Sequence, residues 1–177
     1  MKRLGKLLFR IARIKAMGAF VGFIFAYCPF LIPIKKIRQN KFAVSMRHPA
    51  PSYPNHVLII PRKIARNIFR LSASDFIEVI AMAEEIRNGN DGDFVLLING
   101  GNRQDVMQAH FHLFTGNLVN EKGLLKKGMA FSPQDVYFWE QATANLRKLL
   151  AENTVTEQSF SVLIQFKNGV SSAVYFI

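Results

Sequence analysis

The chain has 177 residues, with 23 Lys and Arg against 12 Asp and Glu, for a formal charge of +11. Half of the residues are hydrophobic, which excludes a disordered chain, and a single cysteine excludes both a disulfide scaffold and a cysteine-ligated zinc finger. The length suits one domain with a full core plus an appendage, and not a multidomain enzyme.

Residues 1–41 carry ten Lys or Arg and no Asp or Glu, which leaves 13 basic and 12 acidic residues, a net of +1, for positions 42–177. The positive excess is therefore local. A nucleic-acid-binding domain spreads such charge over a folded face and interleaves it with stacking aromatics. This chain does not, and no nucleic-acid partner is expected.

Arg3 to Lys15 alternates basic and aliphatic residues, and Leu4, Leu7, Leu8, Ile11 and Ile14 recur at helical spacing on one face. Ala16 to Ile34 then runs 19 residues without a charge, long enough as a helix to reach roughly 28 Å, near the hydrocarbon thickness of a bilayer. A basic amphipathic helix followed by an uncharged run is a membrane-association signature. Pro29 and Pro33 interrupt the last third of the run, so a bent, re-entrant or interface-lying segment fits as well as a crossing. The other reading is a helix buried in the soluble fold. The basic stretch is too long and patterned for a cleaved signal peptide, and Cys28 reads as a small buried hydrophobe. Residues 1–40 are thus expected to form a membrane-associating segment that meets a lipid surface, on its cytoplasmic face.

In residues 41–177, Lys41–Met46 reads as a strand and Arg47–Asn55, with Pro49, Pro51 and Pro54, as a loop. His56–Pro61 is a buried-type strand. Ser72 and Ser74 open a helix to about Asn88, with Phe76, Ile77, Ile80, Ala81 and Ile86 as its apolar face. Asn88–Gly92 is a turn, Asp93–Asn99 a strand, Gly100–Arg103 a loop and Val106–Phe114 a further strand. Asn117–Ser132 reads as loop, and Ser132, Pro133 and Asp135 start a helix to about Glu152. Ser159–Phe166 and Val170–Ile177 flank Lys167-Asn168-Gly169, a hairpin signal. The pattern is α+β with a mainly antiparallel sheet and flanking helices, followed by a C-terminal helix and hairpin.

Of the four histidines, His110 and His112 stand two apart on a predicted strand, so Gln108, His110 and His112 project to one side at about 6.5–7 Å spacing. Two imidazoles and an amide in a row suit phosphate chemistry: one ring attacks phosphorus and its neighbour donates to the oxygens. Asn99-Gly100-Gly101 ends the preceding strand in a turn whose amides could approach a phosphate. Taken alone the His-x-His pair fits a metal site or two partly exposed residues equally well. His48, before Pro49, reads as solvated loop, and Tyr137, Phe138 and Trp139 as packing.

Gln104-Asp105-Val106-Met107-Gln108-Ala109-His110-Phe111-His112 resembles the motif of the histidine-triad superfamily of nucleotide hydrolases and transferases, with Gln108 at the first histidine. Pro49-Ala50-Pro51 with His56-Val57-Leu58-Ile59-Ile60-Pro61-Arg62, and Leu97-Ile98-Asn99-Gly100-Gly101, resemble two further motifs of that family in the same order. The resemblance covers residues 41–118, a core to which 119–177 is an extension.

The resemblance implies that His110 is the nucleophile, forming a nucleotidyl-histidine at an α-phosphorus. It implies that His112 bonds the phosphate oxygens, that His56 lies near phosphate and leaving group, and that Asn99, Gln104 and Gln108 contribute to substrate binding. Ile60 and the residues around Phe42 would line the base pocket. The implied substrate is a nucleotide-type small molecule, with no metal or other cofactor required, and the implied assembly is a two-fold homodimer. Gln108 cannot carry the charge of the imidazole it replaces, which bears on proton delivery to the leaving group. A membrane-tethered nucleotide-binding module with weakened or lost catalysis is the alternative.

Overall fold

The computed structural model describes residues 11, 14, 17–31, 34–88, 93–104, 106–116, 128–131, 138–152, 160–167 and 170–176. Most of the expected basic helix over 3–15, the turn after Asn88, the helix start at Ser132 and the Asn168-Gly169 pair lie outside the described residues.

Among the described residues eight strands form one sheet: β1 (Lys36–Gln39), β2 (Ala43–Arg47), β3 (Val57–Pro61), β4 (Phe94–Gly100), β5 (Phe111–Thr115), β6 (Gly128–Phe131), β7 (Phe160–Lys167) and β8 (Val170–Phe176). Their order is β1-β2-β3-β5-β4-β7-β8-β6, and every pairing is antiparallel. Among the described residues the α-helices given by their full range are α1 (Gly18–Tyr27), α2 (Ala73–Arg87) and α3 (Phe138–Glu152). The α+β class and the antiparallel sheet are those the sequence pattern predicts.

One face of the sheet packs against α2 and α3. Ile59, Phe94, Leu96, Ile98, Phe111, Leu113, Val162 and Ile164 meet Phe76, Val79, Ile80 and Ala83 of α2 and Trp139, Ala142 and Leu146 of α3 in one cluster. Helix α2 begins in a capping box: Ser72 Oγ accepts from the Asp75 amide, and Asp75 Oδ2 accepts from the Ser72 amide. The Phe76 ring stacks on Trp139 at 4.2 Å, and the indole N–H donates to the Leu71 carbonyl, so both serve packing.

Strand β3 is buried along its whole length because its other face is covered as well. There Ile34 packs on Val44, Met46, Leu58 and Ile60. Helix α1 sits nearby, with Gly22 against the Gln108 amide: a Cβ at Gly22 would lie 2.6 Å from Gln108 Oε1 and 3.5 Å from Ile64.

Three elements differ from expectation. The strand expected from Val106 begins only at Phe111, because the Ala109 amide turns aside to donate to the Ala65 carbonyl. Strand β6 lies in a stretch read as loop; its partner β8 is far away in sequence. Strand β1 is a polar, largely exposed edge strand without an apolar signal.

The uncharged run yields a helix of 10 residues, not 19. It stops at Tyr27, ahead of Pro29, whose missing N–H and clash with the preceding turn end a helix. Among the described residues no helix is long and apolar enough to cross a membrane.

Candidate active site

Register fixes which residues share the face opposite α2 and α3. Leu58 pairs with His112, Met46 with Leu58, and Leu97 with His112. Because side chains alternate, His48, His56, His110, His112, Phe114, Leu97 and Asn99 all belong to that one face. The four histidines of the chain gather there: ring centroids are 4.1 Å apart for His48 and His56, 5.1 Å for His56 and His112, and 4.9 Å for His110 and His112.

The hydrogen bonds around the rings settle their tautomers. The Ser52 amide donates to His56 Nδ1, so His56 carries its proton on Nε2. That nitrogen lies 2.9 Å from His112 Nδ1 and donates to it, which places the His112 proton on Nε2. His110 Nδ1 is 2.7 Å from the Gln108 carbonyl. A carbonyl only accepts, so His110 Nδ1 bears a proton, and whenever the ring is neutral the lone pair is on Nε2. The outcome is a nucleophilic nitrogen on His110 beside an N–H donor on His112.

Burial keeps the rings of His56 and His112 uncharged. His56 is lowered from 6.5 to about 4, first by burial and then by the His48 imidazole. His112 falls to about 2, again chiefly by burial, with added repulsion from His110, His56 and His48. Both are neutral at physiological pH, and neither can act there as an acid toward a leaving group.

Tyr53, from the loop before His56, stacks on Phe114 at 4.1 Å and turns toward the edge of His56 at 5.4 Å. This aromatic wall covers one side of the His56 ring. A hollow of about 440 Å³ opens beside it, lined in part by Arg47, His48, Pro51, Tyr53 and His56; the rings of His110 and His112 lie outside that hollow.

The structure brings His56, His110 and His112 together and sets Asn99 on the same face. Asn99 Oδ1 accepts from Ser161 Oγ, which also accepts from Arg103, so the amide offers its NH₂ as a donor. Gln108 and Gln104 serve the backbone. Gln108 Oε1 accepts from the Ala65 amide, and Nε2 donates to the carbonyls of Lys63 and Pro61. Gln104 Nε2 donates to the carbonyls of Arg66 and Val106. Ile60 is buried, with Ile34 packed on its cluster. Gly100, read as part of a phosphate-approaching turn, instead underlies the Phe160 ring, which any Cβ there would strike; Gly101, at φ 60, makes the turn.

Sequence reasoning passed over His48, Tyr53 and Ser161. His48 continues the alternation of Val44 and Met46, and its amide donates to the His56 carbonyl, extending the β2–β3 ladder; that period-two signal could have found it. Among the described residues, His48, His56 and His112 form the group able to hold a metal ion, with one ring nitrogen from each within 4.8 Å of the others. They are not the Gln108, His110 and His112 set that strand spacing alone would offer.

A family model described as the HIT domain matches residues 31–118. The structure is similar to that of yeast Ap4A phosphorylase in complex with Ap4A, at 13% identity and a TM-score of 0.55, covering 77% of this chain and 57% of that one. It is similar to the same yeast enzyme in complex with AMP, at 12% identity and a TM-score of 0.53, covering 89% and 64%. A DUF4931 family protein from Bacillus cereus matches at 10% identity with a TM-score of 0.57, covering 80% and 84%. At such identities the likeness is one of fold, and the chain spans little more than half of the yeast phosphorylase. No curated protein matches the sequence. The three ordered motifs, the imidazole cluster and the match over 31–118 show that the chain belongs to the histidine-triad superfamily of nucleotide hydrolases and transferases, as a divergent member with Gln108 at the first histidine of the triad.

Proposed function

We propose that the protein cleaves nucleotide phosphoesters, phosphoramidates or phosphoanhydrides through a covalent nucleotidyl-histidine on His110. The observation that carries this reading is the proton arrangement: the Gln108 carbonyl holds His110 Nδ1–H at 2.7 Å, and His56 orients His112 at 2.9 Å so that its Nε2–H can donate. The His110 Nε2 lone pair forms a P–N bond at the α-phosphorus, and the phosphorus–leaving-group bond breaks with its electron pair on the leaving group. His112, with the Asn99 amide in reserve, stabilises charge on the phosphoryl oxygens. Water then adds to phosphorus, the P–N bond returns its pair to Nε2, and one proton is released. An acceptor other than water would make the same intermediate a transferase. The fold shared with a phosphorylase solved with Ap4A and AMP supports a nucleotide ligand.

The uncharged Gln108 and the neutral His56 and His112 favour a second reading, a nucleotide-binding module of weakened catalysis. Single-turnover incubation with an α-³²P-labelled dinucleoside polyphosphate separates the two. An acid-labile, His110-dependent label on the protein is expected. Tight binding with no label in the native protein, under conditions that trap such adducts, would establish the module instead.

A further inference from the structure

We propose that the outward face of α1, with the cationic hollow beside its C-terminal end, docks the domain onto an anionic phospholipid bilayer, lying in the interface and not crossing it. This docking is independent of the chemistry at His110.

Helix α1 has two unlike sides. One presents Gly22, buried against Gln108 and Ile64, where the missing side chain lets the helix backbone approach the domain. The other presents Phe20, Phe23 and Tyr27, followed by Phe30 and Leu31, which are 56%, 48%, 63%, 73% and 59% exposed. Steps of three and four residues keep the helical members on one stripe, and Phe23 and Tyr27 touch at 5.2 Å. Five large apolar side chains facing water on α1 and the short 3-10 turn after it (Pro29–Leu31) form a patch of the kind that marks an interaction site.

Charge identifies the occupant. Where α1 ends, Tyr27 borders a hollow of about 420 Å³ whose other walls are Lys41, Phe42, Arg62, Lys63 and Asp75. Asp75 pairs with Lys63 at 2.8 Å, so the hollow is net cationic. Lys41 Nζ rests 4.7 Å over the Phe42 ring, and Arg62 is steadied by the Asn40 carbonyl. With ten basic and no acidic residues in positions 1–41, an apolar stripe rimmed by cations complements anionic headgroups above acyl chains. Length decides between lying and crossing. Ten residues make a helix of about 15 Å, roughly half the hydrocarbon thickness.

The test uses the full chain and vesicles of 70% phosphatidylcholine and 30% phosphatidylserine. Co-sedimentation is expected with these and should fall at least about tenfold on pure phosphatidylcholine, since each juxtamembrane cation adds roughly a fivefold factor. Phe20→Ser with Phe23→Ser should lose binding while the circular dichroism spectrum and melting curve hold. Lys41→Glu serves as a second variant, remote from the α1 packing, and should weaken binding about fivefold or more. Bound protein should be extracted by alkaline carbonate. Binding unaffected by both variants, resistance to carbonate, or a stripe-dependent dimer that ignores vesicles would each overturn the proposal.

Discussion

The imidazole of His48 lies flat on that of His56, with centroids 4.1 Å apart and planes within 5°. Its Nδ1 accepts from the Ala50 amide, which fixes the ring at the mouth of the loop, and it stands 5.7 Å from His112. His48 thus shields His56 from solvent and contributes to its lowered pKa. His48→Ala should move the His56 titration upward from about 4 toward 6.5, followed by the His56 ring signals in an NMR pH titration. Activity should fall several-fold, more at mildly acidic pH than at pH 8, because a His56 that charges more readily no longer supplies a neutral partner to His112. An unmoved midpoint would show that the stacking is not felt.

The same neutrality predicts a pH dependence of stability. In the unfolded chain both groups titrate near 6.5, whereas in the folded chain His56 titrates at about 4 and His112 lower still. Between those limits the unfolded state binds more protons, so folding stability is fully present above about 6.5 and is lost as the pH falls toward 4. The shift at His56 alone corresponds to a full loss on the order of 3 kcal/mol below pH 4, of which roughly 2 kcal/mol is already lost at pH 5. Urea midpoints at pH 7.5 and pH 5 should differ accordingly, and His56→Gln should reduce the difference to the share carried by His112. A flat profile in the native protein would show that the rings are not held neutral.

Gln108 yields a prediction that runs against the family pattern. Its amide makes three buried contacts to the segment Pro61–Ala65, accepting once and donating twice. An imidazole has only two ring nitrogens and cannot reproduce that set, and Gly22 leaves no room for it to shift. Gln108→His should therefore restore the family residue yet cost stability, about 1–3 kcal/mol for each backbone group left unpaired, without raising turnover. Denaturant unfolding and steady-state rates on the two proteins check it. A more active Gln108→His protein of unchanged stability would show that the amide is a lost catalytic group and not a brace.

Legibility in the sequence tracked locality. Strands β3 and β4 and helix α2 were readable because their apolar runs and the Ser72 cap are local signals. His56, His110 and His112 were readable because three motifs stand in order along the chain. What escaped depends on contacts made across long separations. The late start of β5 depends on Ala65 capturing the Ala109 amide, β6 exists through β8, and the buried anchoring of Gln108 depends on Pro61, Lys63 and Ala65 together with α1. His48 was hidden by the prolines around it, which suggest a loop, although the strand alternation runs through it. The break in the uncharged run was legible too, because Pro29 is a local signal and the helix ends at Tyr27, just ahead of it.

Leaving-group chemistry offers the sharpest test of how this site would work. Departure from phosphorus is assisted when a neighbouring acid protonates the departing atom, an effect of about 10²–10⁴-fold. His56 and His112 are neutral well below physiological pH, and the Gln108 amide has no proton to surrender and faces the backbone. His110 is the nucleophile of the proposed mechanism and not an acid. The chain should therefore favour leaving groups that depart as stable anions, such as the phosphate chain of a dinucleoside polyphosphate, over alkoxides that need a proton. Across adenylyl esters of graded leaving-group pKa, log kcat/KM is expected to fall steeply as that pKa rises, with little dependence on pH between 6.5 and 8. A shallow slope would reveal an acid within reach of the phosphorus and require a different assignment of the proton now placed on His112 Nε2.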